Sequence, residues 1–139
     1  MTKEVIVDIN SIISAETGTE KISTSSKGTC IQKNGEIYIF YEEGTAEEGK
    51  NKSRIKISGG IIELKKQGNS NTLMMFDVGN KTNMTYITPF GTMHFTVDTK
   101  DILTEIAEEK ILIKLKYALL SEDRIVSEYD MNIKIEPDL

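Results

Sequence analysis

The chain has 139 residues, of which 38% are hydrophobic and 28% charged, with a formal net charge of −5. That composition excludes a disordered or membrane-embedded chain, and the acidic balance argues against a nucleic-acid surface, where phosphate favours excess Lys and Arg. Cys30, the one cysteine, leaves no internal disulfide and no thiolate cluster for a metal.

A single domain over 1–139 is the size that buries a sizeable core. No apolar run approaches the roughly 20 residues that span a bilayer. Asp8 and Asn10 interrupt the opening segment before it reaches the apolar length of a signal peptide, so a cytoplasmic location is expected.

Apolar residues recur with period two along most of the chain, the period of strands. Segments 3–13 and 19–32 read as strands with Ile9 and Ile22 inward. In 35–43, Ile37, Ile39 and Tyr41 share one face, while Glu36, Tyr38, Phe40 and Glu42 share the other. The stretch 52–66 centres on Gly59-Gly60, a pair that supplies the positive φ angles of a two-residue turn. Pairing outward sets Ile57 against Ile62, Ile55 against Leu64 and Lys56 against Glu63.

Segments 71–78, 83–88 and 91–103 continue the pattern, with Leu73, Tyr86 and Phe95 assigned inward. Between the last two, Thr88-Pro89-Phe90-Gly91 reads as a corner: Pro89 fixes its own φ, Thr88 is pushed to extended geometry, and Gly91 tolerates unusual angles. Phe90 is a candidate plug for one barrel end. Over 101–110, Ile102, Leu103 and Ile106 at helical spacing compete with a polar hairpin loop at 107–110.

In 111–119 the inward face is Ile111, Ile113, Leu115, Tyr117 and Leu119. In 125–135 it is Ile125, Ser127, Tyr129, Met131, Ile133 and Ile135. A five-residue loop between them pairs Leu115 with Tyr129, Ile113 with Met131, Lys116 with Glu128 and Lys114 with Asp130. Eight to ten short strands joined by hairpins predict an all-β, closed, antiparallel up-and-down barrel.

Chemistry-bearing residues are few. His94, the lone histidine, shares the outward face of Thr92 and Thr96, and no G-x-S-x-G nucleophile motif accompanies it. Lys50, Lys52, Arg54 and Lys56 make a basic stripe, read either as an anion site or as cross-strand partners of Glu63 and Glu42. The pairs Glu42-Glu43, Glu47-Glu48 and Glu108-Glu109 lack the spacing of a calcium loop and read as surface charge. We therefore expect no catalytic residue, no metal and no cofactor.

Two patches are candidates for function. Tyr38 and Phe40 on the outer face, beside Arg54 and Lys56, form a candidate contact surface, including for a homodimer. Inside, Tyr41, Glu43, Tyr86, Thr88, Tyr117 and Tyr129 bring hydroxyl and carboxyl groups that need partners, either each other or a ligand.

The segments 27-KGTCIQKNGEIYIFYEE-43, Lys56, Lys66-x-Gly68, 86-YITPFG-91 and 111-ILIKLKYALL-120 follow one another as in a known family, spanning about residues 3 to 135. With them the chain resembles the YwiB-like bacterial domain-of-unknown-function family, and Tyr-x-Thr-Pro-Phe-Gly is the most specific piece. The resemblance implies a lipocalin-like, calycin-type barrel and no established activity; at Lys66 this chain departs from the family's usual arginine. The resulting expectation is a non-enzymatic barrel that binds a small, partly apolar ligand in or at its mouth. The alternative is a filled barrel that works through its surface.

Overall fold

The computed structural model describes residues 2–45, 49–68 and 70–139, and these form ten strands without a helix. In chain order they are β1 (Thr2–Ala15), β2 (Gly18–Lys33), β3 (Glu36–Thr45), β4 (Gly49–Ser58), β5 (Ile61–Gln67), β6 (Asn71–Phe76), β7 (Lys81–Thr88), β8 (Gly91–Ile106), β9 (Ile111–Ser121) and β10 (Arg124–Pro137). Each pairs antiparallel with its chain neighbours and β1 closes on β10, so the sheet has no free edge.

The tight turns follow from local chemistry. Gly59-Gly60 and Asn34-Gly35 both adopt positive φ at the two central positions, the geometry that matches strand twist. The register expected across Gly59-Gly60 is the one observed: Ile57 opposite Ile62, Lys56 opposite Glu63, Ile55 opposite Leu64.

The β9–β10 hairpin corrects its expected register. Its turn is only Glu122-Asp123, two residues at positive φ, and not a five-residue loop. A bulge between Ile125 and Ser127 adds one residue, after which Tyr129 faces Tyr117, Met131 faces Leu115 and Ile133 faces Ile113. The pairing is thus two residues away from the expected one. Faces survive a shift of two, so the inward set is right apart from Ile125, which precedes the bulge and is exposed. Lys116 meets Asp130 and not Glu128, and Lys114 meets Asn132 and not Asp130.

Three other readings change. Residues 101–106 continue β8, with Ile102 opposite Leu115 and Ile106 opposite Ile111, because pairing with β9 outweighs the local helical spacing. The loop that follows is polar and closes with Ala107 N–H donating to the Lys110 carbonyl, 2.8 Å. Leu73 points outward: β5 sets Thr72, Met74 and Phe76 inside through Lys66, Leu64 and Ile62. Phe90 plugs nothing, being 99% exposed at the tip of the β7–β8 hairpin.

The interior is packed at one end. Val7, Ile39, Ile55, Ile62, Phe76, Leu115, Ile113 and Ile133 are fully buried there, beneath the hairpin turns at 34–35 and 59–60. Toward the other end, which carries the 122–123 and 89–90 turns, the inward residues become tyrosine, methionine and hydroxyl-bearing side chains.

Candidate functional site

At that second end a cavity of about 490 Å³ opens, lined by inward residues of every strand except β4. The tilt and register of the strands assemble its polar side. Tyr41 of β3 faces Ser53 of β4, Ser53 faces Lys66 of β5, Lys66 faces Thr72 of β6, and Thr72 faces Tyr86 of β7. Five neighbouring strands therefore carry one polar row, and all of it except Ser53 lies on the cavity wall.

The row is poorly satisfied from within. The hydroxyls of Tyr41, Ser53 and Thr72 are buried without a hydrogen bond of good geometry, although Ser53 and Glu43 come close enough to Tyr41 to act on its phenol. Burial, and then the neighbouring Glu43 charge, hold the Tyr41 phenol well above its ordinary value, so it stays protonated and is a donor. The Lys66 ammonium pairs with the Glu43 carboxylate at 3.6 Å.

The other side is mainly apolar and aromatic, with the hydroxyls of Ser11 and Thr24 among its groups. Ile9, Ile13, Met93, Phe95, Leu119 and Met131 line it. Tyr117 and Tyr129 stack with ring centroids 4.6 Å apart, and Phe76 packs against Tyr117 at 4.7 Å. Burial, with the nearby Tyr129, pushes the Tyr117 phenol upward as well.

Of the interior residues expected from the sequence, Tyr41, Glu43, Tyr86, Tyr117 and Tyr129 come together on this cavity. Thr88 is not on the wall. Its hydroxyl accepts from Phe90 N–H at 3.1 Å and donates to the Gly91 carbonyl at 2.9 Å, closing the corner. Lys66, Thr72 and Ser53 were missed as site residues. Extending the Gly59-Gly60 register outward places Ser53 opposite Lys66, so a signal was present: a lysine in phase with the inward face.

The outer candidates lie on the opposite side of the sheet. Tyr38 and Phe40 stack in parallel with centroids 6.4 Å apart, and Phe40 is 42% exposed. Tyr38 O–H donates to Glu36, a bond that lowers the Glu36 pKa and raises that of Tyr38. The basic stripe is partly consumed: Arg54 pairs with Glu63 at 3.2 Å, and Lys56 with Glu36 and Glu63 at 3.6 and 3.7 Å. Glu42, expected beside Lys56, instead faces Lys52. Lys56 also lies 5.8 Å from the Tyr38 ring centre.

His94 is exposed, opposite Thr85 on the outer face. Glu47 and Glu48 lie outside the described residues. Among the described residues no helix is long and apolar enough to cross a membrane, and no His, Cys, Asp and Glu cluster could hold a metal ion.

Residues 7–133 match the family described as Domain of unknown function (DUF1934). The chain belongs to this family. It is 26% identical over 133 residues to the uncharacterized beta-barrel protein YwiB of Bacillus subtilis (strain 168), covering 95% of this chain and 92% of that one. The crystal structure of ywiB protein from Bacillus subtilis matches with a TM-score of 0.89 at 24% identity, over 99% of this chain and 94% of that chain, a likeness of fold. The resemblance noted in the sequence and the closed barrel are thus both borne out.

Proposed function

We propose that this member of the family is a non-enzymatic, cytoplasmic barrel that binds one small, partly apolar molecule in the cavity between the Tyr41–Tyr86 row and the Tyr117–Tyr129 stack. The carrying observation is the cavity itself. About 490 Å³ is within the range of small-molecule sites, and a barrel of this size either fills its interior or holds one ligand. Here one end is filled and the other is hollow. The wall is mostly apolar with a few converging polar groups, as such sites are.

Absence of catalysis is part of the proposal. The ionisable groups on the wall are one ion pair and tyrosines, two of which are held protonated, and the lone histidine lies outside. The test is native mass spectrometry of protein purified gently from its own host. A bound species of a few hundred daltons, released on denaturation, is expected; a uniformly bare chain that also takes up no small amphiphile would refute the reading. The surface alternative draws on the Tyr38–Phe40 stack, whose rings lie outward on β3 and could meet a second copy of the chain.

A further inference from the structure

We infer that the ligand is an amphiphile with a single acidic head, a carboxylate or phosphate monoester, whose head lies on Tyr41, Lys66 and Thr72 and whose apolar body lies against Ile9, Leu119 and Met131. This rests on the small-ligand reading and specifies its chemistry.

The polar row is an array of donors. Tyr41 and Thr72, both at least nine-tenths buried, line the cavity and keep hydroxyls without a partner just beneath its surface, and the Lys66 ammonium lies on the strand between them. Ser53, buried with its hydroxyl unpartnered, sits between Tyr41 and Lys66 and backs the row. A lysine and hydroxyls can satisfy together an acceptor-rich anion, and charge-assisted hydrogen bonds are the strong ones. A neutral apolar guest would leave the buried hydroxyls unpaired, as they are in the free protein, whereas an acceptor-rich head relieves that cost on binding.

Glu43 explains how the site can exist without its ligand. Its carboxylate, one inward position beyond Tyr41 on β3, holds the Lys66 ammonium at 3.6 Å. It is a tethered stand-in for the acidic head and must yield the ammonium when the head arrives. The opposite wall offers no charge: Ile9, Ile13, Met93, Phe95, Leu119 and Met131 are all apolar. The cavity therefore carries its only charged groups on β3 and β5, while the facing strands add only neutral hydroxyls, those of Ser11, Thr24, Tyr117 and Tyr129, to an otherwise apolar wall, which matches a molecule charged at one end only.

The test is calorimetric titration of the full chain with octanoate, octyl phosphate, 1-octanol and octylamine, which share a tail and differ in head. We expect one or both anions to bind about tenfold or more tightly than octanol, the size of one charge-assisted contact; the ratio of octanoate to octyl phosphate then tells which acidic head fits. Lys66→Met should abolish that preference, bringing the octanoate-to-octanol affinity ratio to about one. Glu43→Gln should tighten octanoate several-fold and raise the octanoate-to-octanol ratio, a gain that damage to the fold could not produce.

Equal binding of octanoate and octanol, or a preference for octylamine, would overturn the acidic-head inference and leave the cavity reading standing. Octanoate weakened by Glu43→Gln would overturn the stand-in role and the inference with it. If none of the four binds, the small-ligand reading fails, and the inference falls with it.

Discussion

Tyr41→Phe should make the free protein more stable. Tyr41 is 4% exposed and its hydroxyl has no partner in the protein, so the fold bears the desolvation of that group without a compensating bond. Leaving a buried polar group unpaired costs about 1–3 kcal/mol, and removing it should recover about 1 kcal/mol, the lower end, because the cavity is open to solvent at its mouth. Unfolding entropy near 2.1 cal/mol/K per residue, over 139 residues, is about 0.3 kcal/mol/K. One kcal/mol then raises Tm by about 3 °C. Differential scanning calorimetry and urea melts of the ligand-free variant, matched against Thr72→Val, measure this. Destabilisation of about 1 kcal/mol or more would mean that Glu43 or Ser53 accepts from the phenol in solution, refuting the unpaired-donor reasoning on which the acidic-head inference leans. Stability gained at the expense of binding is the pattern expected at a functional site.

Further outcomes follow from the division of the barrel into a filled and a hollow half. Ile39→Ala, in the filled half and fully buried, should cost about 2–5 kcal/mol in urea unfolding, whereas Met93→Ala at the mouth, half exposed, should cost less than about 1 kcal/mol. Gly28→Ala should destabilise strongly, since a Cβ there runs into the Phe40 carbonyl oxygen and crowds the Tyr41 Cβ; a thermal melt equal to wild type would refute that close approach. Tyr41 and Tyr117 have folded pKa values raised above the ordinary 10.0 by burial first, so their contribution to stability is complete below pH 10 and is lost as pH rises beyond it. Absorbance titration should show these two phenols ionising only with unfolding, and their early reversible titration would contradict their burial. Tyr38→Ser with Phe40→Ser should remove any self-associated population in sedimentation while leaving the fold intact; unchanged association would clear that patch of the role.

Much of the barrel was legible in the sequence because side-chain alternation and hairpin turns are local. Ile37, Ile39 and Tyr41 had to share a face whatever lay beside them, and Gly59-Gly60 determined both its turn and the pairs around it. Local pattern failed where two registers or two faces were almost equally apolar. In β6, Leu73 and Met75 compete with Met74 and Phe76, and only pairing with β5 chose between them. Past Asp123, a tight turn and a bulge moved the pairing by two residues, invisible to a test that reads faces alone because a shift of two preserves them.

The candidate site was half legible for the same reason. Tyr41, Tyr86, Tyr117 and Tyr129 announced themselves as polar tips on inward faces. That Thr88 spends its hydroxyl on its own turn, and that Lys66 stands between Ser53 and Thr72, depended on atoms from strands distant in sequence. By itself the sequence determined the alternation, the Gly59-Gly60 turn and hence the closed meander, since these rest on interactions within a few residues. Only the tertiary structure decided that the barrel is packed at one end and hollow at the other, because a cavity is a volume left among side chains from nine strands and no single segment encodes it.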